Sequence, residues 1–202
     1  ELLTNRMQDL ARYNNKKGGL VVEVTDNQHF HFRQVQFDDD GSFCDLGHRF
    51  YPDGRVKKES PLYMVLGDIH SGEIDWKSLN ASIAISRILG IKTAVLHDLF
   101  SGISINRHEW DKNTTLAIKQ MMGELDLEKE LLGVVKTLQR LAESYALMVV
   151  PVANHHLFVD LWIEVGGYLK DRVHHKIGLE LAQYLAAGKK PVKAYVMKVF
   201  NR

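Results

Sequence analysis

Three short apolar runs, each followed by polar residues that can bind a metal ion, constrain the fold of this chain more than any other feature of its sequence. Runs of this length and composition predict buried β-strands. The runs and the residues that close them are 62–66 with Asp68 and His70, 91–96 with His97 and Asp98, and 146–153 with Asn154, His155 and His156. Because apolar residues at helical spacing separate the runs, they predict βαβ units with parallel strands, and therefore an α/β fold.

The segments between and after the three runs are predicted to be mostly α-helical, from the spacing of their apolar residues. The predicted helices are one that closes at Gly90, two within residues 112–145 that separate at Gly123 and Asp126, and two near residues 158–169 and 173–187. The last apolar stretch, residues 192–200, is predicted as a strand. Because the chain ends directly after it, we expect the domain to be C-terminally incomplete.

The first 59 residues are predicted to form a separate, β-rich unit in front of an α/β domain over residues 60–202. The spacing of Leu3, Met7 and Leu10 predicts a short amphipathic helix at the start. Runs of alternating hydrophobicity bounded by turn residues then predict strands over residues 20–25, 29–37 and 42–51.

Composition sets broad limits on the class of protein. The chain has 202 residues, of which 45% are hydrophobic and 25% charged, as in ordinary globular domains. A lone cysteine, Cys44, excludes an internal disulfide and fits a reducing compartment. No apolar run approaches the length of a membrane span. We therefore expect a soluble, cytoplasmic protein, and the net charge of +1 favours no particular partner.

The polar residues after the three runs predict a shared metal site. Residues two apart at the end of a strand project to the same side, so Asp68 and His70 are expected to lie side by side. The carboxyl ends of parallel strands form one edge of a sheet, which brings Asp98 and Asn154 to the same place. Oxygen donors beside imidazole nitrogens suit Mn²⁺, Fe or Zn²⁺ better than Ca²⁺.

The order of these residues, Asp68-x-His70, then Asp98, then Asn154-His155, resembles the signature of the calcineurin-like metallophosphoesterases, whose motifs also stand at strand ends. The resemblance implies the sheet core of that superfamily and two divalent metal ions, with Mn²⁺ expected before Mg²⁺, Fe or Zn²⁺. It implies that Asp68 and His70 hold the first metal, that Asp98 bridges the two, and that Asn154 holds the second. His155 is then the catalytic residue that contacts the phosphate and assists the leaving group.

Four positions depart from the pattern of this superfamily. His97, Ser101, Ala153 and His156 stand where it usually has Gly, Asp, Gly and an acidic residue. These positions surround the implied ligands and do not supply them. The further histidine motifs that the superfamily carries towards its C-terminus are missing. His174 is the candidate for an additional metal ligand, with a surface position on a helix as the alternative.

Within the superfamily, the motifs look most like those of phage-encoded phosphoesterases, in particular the pre-early proteins that degrade host DNA. This finer resemblance implies that DNA is the substrate, that the reaction is phosphodiester hydrolysis, and that the protein acts in the host cytoplasm. Arg107, His108 and His156 are then candidates for contacts with the substrate. Two alternatives stay open, a degenerate domain that serves as a non-catalytic subunit and a phosphatase of small monoesters. A homo-oligomer also stays open.

Overall fold

The computed structural model describes residues 17–201, and the chain divides into two compact units, residues 1–61 and 62–202. The predicted N-terminal helix lies outside the described residues. The first unit contains two antiparallel sheets, one of two strands and one of three. Their strands are β1 (Gly18–Val24), β2 (Phe30–Gln36), β3 (Phe43–Asp45), β4 (His48–Phe50) and β5 (Val56–Lys58).

One strand predicted for the first unit, over residues 42–51, is instead the hairpin of β3 and β4. The chain reverses at Leu46 and Gly47, which have φ angles of 44° and 79°. A turn with positive φ at both central residues suits a tight hairpin. Arg33 of β2 donates two hydrogen bonds to Asp45 of β3, at 2.7 and 2.8 Å, which joins the two sheets of this unit.

The second unit is built on a parallel sheet, as the three apolar runs predict. Its strands are β6 (Met64–Leu66), β7 (Thr93–Leu96) and β8 (Leu147–Val149), hydrogen-bonded in that order. The strands are shorter than the apolar runs, but each lies within its run. The unit is therefore α/β, and each strand is followed by a segment that carries polar residues.

Seven α-helices of the second unit are described, and the two long connections between its strands are helical as predicted. The helices are α1 (Trp76–Leu89), α2 (Asn113–Met122), α3 (Leu127–Ala142), α4 (Asn154–Glu164), α5 (Gly167–Lys170), α6 (His175–Ala186) and α7 (Pro191–Phe200). Gly90 and Gly123 end α1 and α2 in the left-handed conformation, and the Asp126 side chain caps α3. No described helix is long and apolar enough to cross a membrane.

The prediction of a strand over residues 192–200 is wrong, because this stretch is helix α7. Pro191 occupies its first turn, where a missing N–H costs nothing. Val192, Tyr195 and Val196 are buried and lie three and four residues apart, which places them on one face of a helix. This face contacts α3 and α6. The β-branched composition of the stretch favoured a strand, but the helical spacing of its buried residues decided the outcome.

The helices bury one face of the parallel sheet. Leu66, Ala94 and Leu96 point into the core, which also contains Leu99 and Phe100 of the segment that follows β7. Residues that alternate with them lie on the opposite face and include the exposed Val65 and Val149. The buried positions of β7 therefore fix the chain immediately before and after the polar residues at its end.

A histidine–aspartate pair closes the turn between α5 and α6. His174 is buried; its Nδ1 lies 2.6 Å from Asp171 Oδ2, and its Nε2 lies 3.2 Å from the backbone oxygen of Leu125. Burial opposes the charge on His174, but the hydrogen bond and the charge of Asp171 outweigh it and raise the pKa of the ring above its usual value. With an oxygen acceptor at each nitrogen, the imidazolium form satisfies both contacts.

Asp171→Asn should therefore destabilise the protein in a pH-dependent way. Because the pKa of His174 is raised on folding, the pair stabilises fully below the unfolded value of about 6.5, and this contribution is lost as pH rises through the folded pKa. We expect a loss of about 1.5–3 kcal/mol near pH 5.5 and a smaller loss near pH 9, measured by urea unfolding. Lys190→Gln, which removes an exposed ion pair with Asp160, is the control and should cost less than about 1 kcal/mol. A pH-independent loss would contradict the ionic account of this pair.

Candidate metal centre

Hydrogen bonding between the first two parallel strands continues past their ends and aligns the polar segments that follow. The backbone N–H of His70 donates to the oxygen of Asp98 at 2.9 Å, and that of Ser71 donates to the oxygen of Leu99 at 3.0 Å. The Ser71 hydroxyl donates to the same Leu99 oxygen at 2.7 Å. These bonds hold the Asp68–His70 segment beside Asp98, as the shared sheet edge predicts.

The backbone is strained at three of the predicted ligands. Asp68, His70 and Asp98 have φ angles of 49°, 42° and 47°, a region that L-residues rarely occupy. Among the described non-glycine residues, only the turn residue Leu46 shares this property. Such a conformation costs about 1–3 kcal/mol per residue and persists where the surrounding structure enforces it, often at functional sites. The strain is thus concentrated in the two segments that carry the predicted ligands.

A first cluster of metal-ligating groups, which we call the inner triad, consists of His70, Asp98 and His155. One ligand atom from each lies within 4.8 Å of the others. His155 Nδ1 is 3.6 Å from Asp98 Oδ1, and the His70 and His155 rings have centroids 5.0 Å apart. The triad joins the ends of β6 and β7 to the first turn of α4, which follows β8.

The inner triad contains three buried polar atoms that lack a hydrogen-bond partner within the described part of the chain. They are His70 Nδ1, Asp98 Oδ1 and His155 Nδ1. Buried polar atoms are almost always hydrogen-bonded, because removing them from water without a partner is costly. Two imidazole nitrogens and a carboxylate oxygen form a donor set that suits Zn²⁺, Mn²⁺ or Fe. The residues present therefore fit a divalent cation.

A second cluster, which we call the outer triad, consists of Asp68, His97 and Asp98. His97 Nδ1 lies 3.4 Å from Asp98 Oδ2 and 3.8 Å from Asp68 Oδ1. The two oxygens of Asp98 thus face different triads. The outer triad is more open, since the side chains of Asp68 and His97 are 80% and 49% exposed, against 10% for Asp98.

His97 belongs to the polar cluster after the second apolar run, but it was not predicted as a ligand, because the superfamily usually has Gly at this position. Its position next to Asp98, directly after β7, was the available signal. Asn154, the predicted ligand of the second metal, is exposed and is the first residue of α4. The neighbouring His155, predicted to face the phosphate, lies in the inner triad. The structure thus brings together Asp68, His70, Asp98 and His155 of the predicted set.

Two further histidines of the predicted set have structural partners. His156 Nδ1 accepts a hydrogen bond from the Ala153 N–H at 2.9 Å, which caps the start of α4, and its ring stacks on Phe100. Burial lowers the pKa of His156, so the ring is neutral near pH 7. His174 engages both ring nitrogens as described above. This geometry favours a structural role for His174 over that of an additional metal ligand.

The predicted substrate contacts Arg107 and His108 are exposed and lie on a short 3₁₀ turn (Arg107–Glu109). The Asn106 side chain accepts the His108 N–H at 3.1 Å and caps this turn. The His108 ring meets the Phe158 ring edge-on, with centroids 5.9 Å apart, and Phe158 lies 5.2 Å from the His155 ring. His108 is therefore connected to the inner triad through one aromatic side chain.

The loop between Asp98 and this turn is anchored to α3 by a single carboxylate. Glu130 accepts hydrogen bonds from the N–H groups of Ile103 and Ser104, at 3.0 and 3.2 Å, and from the Ser104 hydroxyl at 2.7 Å. Bonds to a charged acceptor are the stronger kind. The loop that carries Arg107 and His108 is thus fixed relative to the core.

An apolar cavity of about 380 Å³ lies beside β8, α3 and α7 and is separate from both triads. Its walls include Val134, Val149 and Val196, and two further lining residues, Leu99 and His156, directly follow the triad members Asp98 and His155 in the sequence. Because none of the triad residues lines it, the chemistry of this unit is better sought at the metal-ligating clusters.

Comparison of the chain with protein-family models, with curated proteins and with solved structures found no match. The side chains that the fold brings together at the end of the parallel sheet are therefore the basis for a functional proposal.

The inner triad predicts that divalent cations stabilise the protein. A ligand that binds only the folded state at 100 times its dissociation constant adds about 2.7 kcal/mol. We expect Mn²⁺ or Zn²⁺ to raise the melting temperature of the EDTA-treated protein, and Asp98→Asn to remove this rise. Asp111→Asn, which alters an exposed acid outside both triads, is the matched control and should keep the rise. Equal rises for both variants would place the cation elsewhere.

His155→Ala tests whether this histidine is a ligand or only a contact to substrate. Because His155 Nδ1 is an unpartnered atom of the inner triad, its loss should weaken cation binding by about 10-fold or more. Bound metal measured by elemental analysis after dialysis should fall, whereas His175→Ala, at an exposed histidine outside both triads, should leave it unchanged. If His155→Ala keeps its full metal content, His155 is not a metal ligand, and the predicted contact with the phosphate is the remaining role for it.

Proposed function

We propose that the chain is a metal-dependent phosphodiesterase that uses two divalent cations, one at each triad, with Asp98 between them. The observation that carries this proposal is the position of the Asp98 carboxylate, which is 10% exposed and directs Oδ1 towards His155 and Oδ2 towards His97. A carboxylate placed in this way can bridge two cations. The superfamily resemblance assigns the same role to Asp98.

Each side chain has a distinct part in the proposed site. His70 and His155 supply neutral nitrogen ligands to the inner position, and Asp68 and His97 complete the outer position. When bound, two divalent cations supply electrostatic stabilisation of a phosphoryl group in displacement and lower the pKa of water near neutrality. The strained backbone at Asp68, His70 and Asp98 holds the donor atoms in place before the substrate arrives.

The charge of the proposed site favours an anionic substrate. The carboxylates of Asp68 and Asp98 offset only half of the charge of two divalent cations, so the loaded site stays positive. Arg107 adds an exposed guanidinium on the anchored loop nearby, a group that pairs well with phosphate. These features support a phosphodiester with further phosphates along its chain, and DNA is the substrate that we propose.

One observation favours a second candidate, a degenerate domain that binds a single cation and acts as a non-catalytic subunit. The outer triad is exposed, with the Asp68 side chain 80% accessible, and its atoms lack the buried, unpartnered character of the inner triad. In this alternative only the inner position is occupied, and the two-cation chemistry does not take place.

Turnover of two model substrates separates these functions. With Mn²⁺ added, we expect hydrolysis of bis-p-nitrophenyl phosphate in preference to p-nitrophenyl phosphate, and a loss of at least about 100-fold in Asp98→Asn. His97→Ala should lower turnover while the inner triad keeps its cation. Asp111→Asn is again the control.

The other outcomes identify the alternatives. A preference for p-nitrophenyl phosphate would indicate a phosphatase of monoesters. Cation binding without turnover of either ester would indicate the non-catalytic domain. Unchanged turnover in Asp98→Asn would refute the two-cation assignment.

A further inference from the structure

A row of four rings leads from the inner triad to the protein surface. It consists of His70, His155, Phe158 and His108, and we call it the aromatic row. Successive ring centroids are 5.0, 5.2 and 5.9 Å apart, with interplanar angles of 46°, 49° and 82°. His70 and His155 belong to the metal centre, whereas Phe158 and His108 have no part in the function proposed above.

Phe158 lies at the point where the row leaves the metal centre. It is partly buried, and a Cβ atom on Gly102 would lie only 3.0 Å from its ring. Gly102 has a φ of 68°, so both its conformation and its lack of a side chain let the loop after Asp98 approach one side of the ring. The loop thus lies against one side of the Phe158 ring, and the side chain, which packs against the core, remains partly accessible to solvent.

Several side-chain contacts fix the turn that carries His108. Besides the Asn106 cap, the Trp110 indole N–H donates to the Ile105 oxygen at 3.1 Å. Lys119 of α2 forms an ion pair with Glu109, and both side chains are less than one-fifth exposed. These contacts therefore hold the backbone that carries Arg107 and His108 in a fixed position.

We propose that Phe158 and His108 form a subsite for the base of the nucleotide next to the scissile phosphate. This inference rests on the proposed function and names its substrate class more closely. A phosphate at the triads would place its own nucleoside about one ring away, where Phe158 lies. Aromatic side chains stack on bases of any sequence, and a base can use such a platform only when it is not stacked in a duplex.

The substrate class is therefore single-stranded DNA or an unpaired strand end. Arg107 is exposed on the same turn as His108, and its guanidinium would pair with a neighbouring phosphate of the same strand. Intact duplex, whose bases remain paired and stacked, fits the metal centre but not the subsite, so the proposed enzyme prefers unpaired strands.

Direct binding tests the subsite without requiring turnover. The probes are a fluorescein-labelled dT hexamer and a hexamer of abasic sites with the same number of phosphates, both with phosphorothioate linkages that resist hydrolysis. Each is measured by fluorescence polarisation with the full chain in the presence of Mn²⁺. We expect tighter binding of the dT hexamer, and a loss of this preference of about 10-fold in Phe158→Leu, which keeps an apolar side chain of similar size. His108→Ala, at an exposed position, should reduce the same preference without affecting folding. Leu157→Ala, an exposed neighbour on α4, is the matched control and should keep it.

Turnover then distinguishes a failure of the subsite from a failure of the proposed function. Thymidine 5′-(p-nitrophenyl phosphate) and methyl p-nitrophenyl phosphate release the same leaving group and differ only in the nucleoside. The wild-type protein should prefer the thymidine ester through its KM, and Phe158→Leu should reduce that preference. If both esters are hydrolysed with equal efficiency, or if the dT and abasic hexamers bind equally well, the proposed base subsite is wrong. Either result leaves the proposed phosphodiesterase activity unaffected. If neither ester is hydrolysed but the dT hexamer still binds more tightly, the proposed enzymatic activity is wrong and the proposed base-binding subsite is supported.

Discussion

The candidate metal centre depends on the hydrogen bonds that continue the pairing of β6 and β7 beyond the ends of these strands. Without them, Asp68 and His70 would lie on a free loop, and the entropy of that loop would oppose their approach to Asp98. With them, the backbone of His70 is fixed against that of Asp98, and the Ser71 hydroxyl adds a further bond to the same segment. The parallel sheet is small, but its central strand passes directly from the core into the site.

The same constraint explains why strain and unsatisfied polar atoms occur together. A continued backbone ladder decides where residues 68–71 run, so the φ angles of Asp68, His70 and Asp98 must adapt to it. The resulting conformation places the Asp98 carboxylate and the His70 ring beside His155, which the first turn of α4 supplies, and the unpartnered atoms of all three side chains are buried. Both features cost free energy in the folded protein. A cation held by the inner triad would satisfy the unpartnered atoms and, because it would bind only the folded state, would offset this cost.

Much of this arrangement follows from the sequence, because it depends on local patterns that have a direct physical consequence. Apolar runs closed by polar residues predict parallel strands with functional residues at one edge, and Gly123 and Asp126 predict the break between α2 and α3. The prediction fails where tertiary contacts decide. Val192 and Val196 are β-branched, yet they pack against α3 as part of a helix. Local composition does not reveal that partner.

The candidate metal ligands show the same division between what local sequence predicts and what tertiary structure decides. Asp68, His70 and Asp98 were predictable because they leave neighbouring strands at one edge. His97 stands next to Asp98 in the sequence, but regular strand geometry predicts that the two side chains diverge, since adjacent residues at the end of a strand point to opposite faces. The positive φ of Asp98 breaks that alternation, so that the His97 ring and the Asp98 carboxylate meet at 3.4 Å. The residue that distinguishes this site from the superfamily pattern therefore depends on a backbone conformation that periodicity does not encode.

The difference in burial between the two triads also predicts the order in which they would bind cations at the proposed site. The inner triad has three unpartnered atoms and a carboxylate that is almost fully buried, so a cation there removes the largest electrostatic cost. The side chains of the outer triad are exposed to solvent without a cation. A cation there would have to displace water from Asp68 and His97, so its binding free energy would be less favourable than at the inner triad. The inner position is consequently the tighter one, and occupancy of the outer position sets the cation concentration at which the proposed two-cation reaction begins. Because Asp68 and His97 are open to solvent whereas Asp98 is 10% exposed, a substrate of the proposed reaction would approach from the side of the outer triad.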